Sequence, residues 1–174
     1  MSTMPERLSG RTFSLGEFHD WKTGKNRLWP GYLIHGSLGS GKTSLALWMA
    51  HECGTVARFA VVSDVVRSVK ETWGPLAVEQ ESDVLKRWVN VPFLILDEVG
   101  GVQFGTQAER NVIYDVVVGR YNRCRPTIIT TNCNLNTQPG REEFYNCAGA
   151  RIADRFQGGI IDAWAWGPSL RSVA

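Results

Sequence analysis

The eight residues GSLGSGKT, Gly36 to Thr43, restrict what this chain can fold into more than any other stretch. They lie between a short apolar run, YLIH (Tyr32 to His35), and a segment of helical character that begins at Lys42. A strand that runs into a glycine-rich turn and then opens a helix is a cradle for a phosphate chain. Each residue type has its reason. Glycines reach positive φ and let backbone N–H groups approach an anion with no Cβ in the way. The helix start adds the positive end of a peptide dipole. Lys42 has the reach to touch β- and γ-phosphates. The Thr43 hydroxyl is an oxygen donor of the kind magnesium prefers. The residues expected to bind nucleotide are therefore Gly36, Ser37, Leu38, Gly39, Ser40, Gly41, Lys42, Thr43 and Ser44, with ATP and Mg²⁺ as the ligands. Binding and hydrolysis use different residues, so a loop that holds nucleotide without turnover is the plain rival.

From Gly31 onward the chain alternates strand and helix. A first helix is predicted from Lys42 to about Cys53, with Leu45, Leu47, Trp48 and Met49 as apolar bulk and Gly54 as its cap. RFAVVS (Arg58 to Ser63) reads as a strand. Asp64 to Trp73 then sets Val65, Val66, Val69 and Trp73 on one helical face. Gly74 and Pro75 end that helix, and Ser82 to Val89 is a second short one. FLILDE (Phe93 to Glu98) suits a strand buried on both faces. Thr106 and Glu109 have capping-box spacing, and the helix they start turns Val112, Ile113, Val116 and Val117 inward. Arg120, Arg123 and Arg125 follow at its end, where cations suit the dipole. TIITTN (Thr127 to Asn132) is a further strand, Ala148 to Phe156 a last helix, and GIIDAWAW (Gly159 to Trp166) an edge strand. The pattern predicts an α/β fold: a five-stranded, mostly parallel sheet flanked by helices, over residues 31–174. Residues 1–30 read as an N-terminal arm whose aromatics, Phe13, Phe18, Trp21 and Trp29, pack onto the domain or cover an adenine base.

Composition narrows the function classes. The formal charge of +2 is nearly balanced, so bulk charge names no nucleic-acid partner. The four cysteines form no C-x-x-C pair and no zinc-finger spacing, which fits reduced thiols in a cytoplasmic protein. The N-terminal stretch lacks a signal-peptide core, and no apolar run reaches the roughly 20 residues of a membrane span.

FLILDE puts Asp97 and Glu98 at the carboxyl end of a buried strand, where open α/β sheets hold their ligands. Two adjacent acids there are costly unless a cation balances them. Asp97 is expected to hold the magnesium, and Glu98 to orient the water that attacks the γ-phosphate. Asn132 ends the next strand. Its amide can bond both that water and the γ-phosphate, or simply close a strand as a turn residue.

GSLGSGKTSLA, FLILDEVG, RPTIITTNCNL and GARIADRF form an ordered series that resembles the AAA+ module of DnaC-type replicative helicase loaders, close to the IstB transposition helpers. The resemblance covers about residues 10–172. It implies an AAA+ P-loop NTPase without a C-terminal helical lid domain. Lys42 and Thr43 become the Walker A pair, Asp97 and Glu98 the Walker B pair, and Asn132 sensor 1. It makes Arg155 the arginine finger that enters a neighbouring subunit's ATP site, with Arg151 as second candidate. An ion pair with Asp154 or a solvated helix face is the plain alternative for Arg155. Arg171, in WGPSLRS, resembles an arginine that senses the γ-phosphate. A trans arginine requires a homo-oligomer. Loaders of this family usually carry an extra N-terminal domain; residues 1–30 are too few for one, and the aromatic arm is the candidate docking peptide.

The implied function is an ATPase accessory to DNA replication that loads a hexameric helicase and binds single-stranded DNA. Its alternatives are an IstB-like helper of a transposase, a nucleotide-dependent scaffold with little hydrolysis, and a P-loop small-molecule kinase. Candidate DNA contacts are Lys86, Arg87, Trp88, Arg120 and Arg123, because single-strand binding uses a basic track with stacking aromatics.

Overall fold

The structure is a computed structural model that describes residues 31–100 and 106–163. The arm 1–30, the end of the expected edge strand and Arg171 lie outside the described residues. Within them the order is β1 (Gly31–His35), α1 (Lys42–Glu52), β2 (Ala57–Val61), α2 (Val62–Lys70), α3 (Glu81–Asn90), β3 (Phe93–Asp97), α4 (Gln107–Asn122), β4 (Thr127–Thr131), α5 (Gln138–Ala148), α6 (Ala150–Arg155) and β5 (Ile160–Asp162). The strands form one sheet in the order β2-β3-β4-β1-β5, and every pairing is parallel. Parallel neighbours need crossovers, and the helices supply them.

Side chains alternate across each strand, so the sheet has two cores. Leu33, Leu94, Leu96 and Ile129 face α2, α3 and α4, against Val66, Val69, Val84, Val112, Ile113 and Val116. Tyr32, Ile34, Phe93, Ile95 and Ile128 face α1, against Leu45, Ala46, Met49 and Ala50. Buried strands of this kind read as continuous apolar runs, which is why β1, β3 and β4 are visible in the sequence.

The structure departs from the sequence reading in several places. β2 ends at Val61, and Val62 already opens α2, so the run VVS splits between strand and helix. Trp73 is 42% exposed and donates its indole N–H to Glu81 at 2.7 Å, off the apolar face it was expected to complete. Leu47 is exposed, and the alanines beside it carry the buried face of α1 instead. The expected helix from Ala148 is a six-residue α6, and α5 before it is an unforeseen helix. Thr137 caps α5 by accepting the Gly140 N–H, and proline stands in its first turn. Gly140 is required there because a Cβ would meet the Asn134 carbonyl oxygen at 2.1 Å. The capping box at Thr106 and Glu109 forms as expected.

Candidate active site

The loop after β1 is tied to the sheet by the Gly36 N–H, which donates to the Thr131 carbonyl at 3.2 Å. A Cβ on Gly36 would meet the Ala163 Cβ and the Ser40 Oγ, each at 2.7 Å, so only glycine passes here. Gly39 and Gly41 adopt φ of 74° and 90°, in the left-handed region. Gly41 caps α1 with no side-chain acceptor, and no acid stands in the first turn of α1. No side chain of the cap or the first turn competes with an anion there, and the helix dipole stands behind the site. Lys42 is only 7% exposed. Its Nζ donates to the carbonyls of Gly36 at 2.9 Å and Ser37 at 2.7 Å, which holds the ammonium inside the loop.

Opposite the loop stands the end of β3. Thr43 Oγ1 donates to Asp97 Oδ1 at 3.0 Å, across 54 residues of sequence. Thr130, on β4, donates to the same carboxylate oxygen at 2.6 Å. The Asp97 carboxylate is buried between them. Glu98 leaves the strand line with φ of 63°, and its side chain is exposed. The loop, Asp97, Glu98, Thr130 and Asn132 line one cleft of about 180 Å³. The donor set fits magnesium and a polyphosphate: hard oxygens at Thr43 and Asp97, a buried ammonium, and a glycine-rich loop at a helix start that carries no side-chain cap.

Thr130 went unrecognised in the sequence, where a hydroxyl inside a buried strand gives no signal. So did His35, which is buried directly before the loop with Nδ1 unpartnered among the described residues. Burial holds its imidazole below the ordinary pKa and Lys42 adds to that, while Asp162 opposes it.

Arg155 and Arg151 lie outside this cleft. Arg155 folds back along α6, its guanidinium donating to the Arg151 carbonyl at 2.6 Å and lying over Tyr121 at 5.1 Å and Tyr114 at 5.9 Å. Among the described residues it forms no ion pair with Asp154, which accepts from Gln157. Arg155 and Arg151 line a separate cleft.

Two of the expected DNA contacts are corrected. Arg120 is fully buried. Its guanidinium donates to the carbonyls of Trp88, Val89, Val91 and Pro126 and to the Thr127 hydroxyl, at 2.7–3.0 Å. Burial lowers its pKa to about 9, so it remains a cation at neutral pH. Trp88 is also buried, bonded to Ser68 and covered by the Arg58 guanidinium, so it cannot stack on a base. Lys86 pairs with Asp83 and Arg87 with Glu79, while Arg123 is exposed and bonds the Gly119 carbonyl.

A family model described as IstB-like ATP binding protein matches residues 31–139. No curated protein sequence matches the chain. Among solved structures, the DnaC helicase loader is similar with a TM-score of 0.66 and 23% identity, covering 83% of this chain and 85% of that one. DnaI is similar with a TM-score of 0.63 and 21% identity, covering 91% and 94%. The replication initiator DnaA, bound to AMPPCP and single-stranded DNA, is similar with a TM-score of 0.63 and 19% identity. The match covers 89% of this chain and 47% of DnaA, about half its length. Identities this low establish the shared fold. No helix among the described residues is long and apolar enough to cross a membrane.

Proposed function

This chain belongs to the IstB-like ATP binding proteins and carries an AAA+ P-loop domain, and from that premise we propose that it is an ATPase accessory to DNA replication, of the helicase-loader type. The observation that carries the ATPase reading is the meeting of Thr43 and Asp97 at 3.0 Å beside Glu98 and Asn132, at the mouth of the loop. The likeness to DnaC and DnaI over most of both chains supports the loader reading. A transposition helper is the second reading, favoured by the family match itself.

The proposed work of each residue follows from its place. The loop amides and Lys42 bind the phosphate chain, and the ammonium exchanges two backbone carbonyls for phosphate oxygens. Thr43 and Asp97 are the residues that would hold magnesium. When bound, that ion supplies positive charge against the charge developing on the phosphates. Glu98, exposed at the strand tip, orients water for attack and accepts its proton, and Asn132 bonds the same water. The products are ADP and phosphate. Arg155 acts on the site of a second copy, so its guanidinium must leave the Tyr121 face on assembly. Arg171 is proposed to sense the γ-phosphate, with Arg151 as the alternative trans arginine. Single-stranded DNA is the proposed partner of the assembled form, with Arg123, Lys86 and Arg87 as the candidate contacts, alongside a hexameric helicase or, on the second reading, a transposase.

The test is turnover. Glu98→Gln and Arg155→Ala are expected to bind ATP with near-normal affinity and to hydrolyse it far more slowly, with a loss for Arg155→Ala of about 1,000-fold or more, the contribution of an arginine finger. Mixing Arg155→Ala with Lys42→Ala subunits is expected to restore part of the activity. Wild-type turnover by Arg155→Ala alone removes that residue from the trans role.

A further inference from the structure

We propose that Thr130 is the positioning residue that gives the acidic strand end its working shape, an inference that rests on the roles given above to Asp97 and Glu98. Thr130 is buried in β4 beside β3. Its Oγ1 donates to Asp97 Oδ1 at 2.6 Å and accepts the Glu98 backbone N–H at 3.1 Å. A hydroxyl has one proton and two lone pairs, so both bonds form together without competition.

The two bonds do different things. The first is charge-assisted and fixes the rotation of the Asp97 carboxylate, whose Oδ1 also receives the Thr43 hydroxyl at 3.0 Å. It thereby ties the metal-facing acid to the threonine that would share its ion. The second pins the backbone where it turns. Glu98 sits at φ of 63°, a region that residues other than glycine enter at a cost. The surroundings must therefore hold it there. Thr130 does so from both ends, because its own carbonyl accepts the Val99 N–H at 2.9 Å. The turn breaks the strand's alternation, so both acids line one cleft, Asp97 buried against Thr43 and Glu98 exposed beside it. Without that turn the strand would send the two side chains to opposite faces of the sheet.

The neighbouring threonines of β4 bond away from the acids: Thr127 to Arg120 and the Arg125 carbonyl, Thr131 to the Cys133 N–H. The link to Asp97 and Glu98 is thus a property of this one position rather than of a threonine-rich strand. Valine has the shape of threonine without its hydroxyl and serine has the hydroxyl without the methyl, so the pair separates bonding from packing.

The experiment compares Thr130→Val and Thr130→Ser with the wild type in the full chain, with Thr130→Ala replacing valine should that variant not fold. In the nucleotide-free protein, amide exchange at Glu98 is expected to be about tenfold or more faster in Thr130→Val and unchanged in Thr130→Ser, the effect of losing one hydrogen bond. ATP affinity without Mg²⁺ is expected to stay within about threefold of wild type in both, because the loop is untouched. The gain in ATP affinity on adding Mg²⁺, and the hydrolysis rate, are expected to fall about tenfold or more in Thr130→Val only. Equal behaviour of valine and wild type in amide exchange overturns the proposal. So does a serine variant as impaired as valine, or lost protection at Glu98 with an intact Mg²⁺ response. A wild type that never hydrolyses ATP contradicts the proposed enzymatic function instead, while amide exchange and the Mg²⁺ response still decide the role of Thr130.

Discussion

Lys42 and Arg120 are both long cations that the chain buries, and they stand at opposite ends of two neighbouring strands, β1 and β4. Lys42 opens α1 at the carboxyl end of the strands, and its ammonium touches two carbonyls of a loop that lines a cleft. Arg120 ends α4 near the start of β4, and its guanidinium fills a socket of four carbonyls and one hydroxyl. A flexible ammonium with three rotatable donors can trade partners, whereas a planar fork locked into five bonds cannot. The socket also satisfies the last carbonyls of α3, which a helix leaves orphaned. Burial of a charge therefore marks function only where its partners can be exchanged and a cleft adjoins it.

The largest expected effect breaks the Arg120 end. Arg120→Met orphans buried carbonyls of Trp88 and Val89 without replacing them, at about 1–3 kcal/mol for each group left unsatisfied. The summed loss is expected to reach about 4 kcal/mol or more, in the range that unfolds marginal domains. Urea denaturation measures it, and a loss under about 1 kcal/mol would mean that the socket is replaceable after all. Lys42→Ala should do the reverse: ATP affinity falls by about 100-fold or more, in keeping with a lost charge-assisted contact to phosphate, while the melting temperature stays within a few degrees. A Lys42→Ala protein that unfolds would place both cations in the same structural class.

The smallest effect concerns His35, which lies beneath the loop near Lys42 and Asp162. Burial holds its folded pKa below the ordinary value of about 6.5. The unfolded chain then takes up the proton first as pH falls. The stability from this site is complete above about pH 6.5 and is lost as pH drops through the folded pKa. Thermal melts from about pH 7.5 down to about pH 5 should show a decline that His35→Gln flattens by a few degrees. Identical slopes in the two proteins would detach His35 from the acid limb.

The same contrast explains what the sequence could and could not reveal. The strands with unbroken apolar runs and the loop GSLGSGKT announce themselves locally, and so does the capping box at Thr106. The fate of Arg120 was also written there, in a weaker hand: it continues the buried face of Val112, Ile113, Val116 and Val117 by one more turn. A charge at the end of a helix reads first as a solvated one, and only the carbonyls of a distant helix show otherwise. Helix α5 went unforeseen: Pro139 and Gly140 disfavour a helix interior, but here proline stands in the first turn and Gly140 serves a close contact with Asn134. Thr130 acts through bonds spanning 33 and 32 residues, which no local pattern records.

The central claim is that the loop from Gly36 to Thr43 and the end of β3 form one nucleotide site, and calorimetric titration of the folded chain with ATP and Mg²⁺ tests it most directly. One saturable site per chain is expected, with a dissociation constant between roughly 1 μM and 1 mM, the range of working nucleotide enzymes. Asp97→Asn should lose most of the Mg²⁺-dependent gain. Absence of saturable heat from folded protein, or an Asp97→Asn titration identical to wild type, would contradict the account.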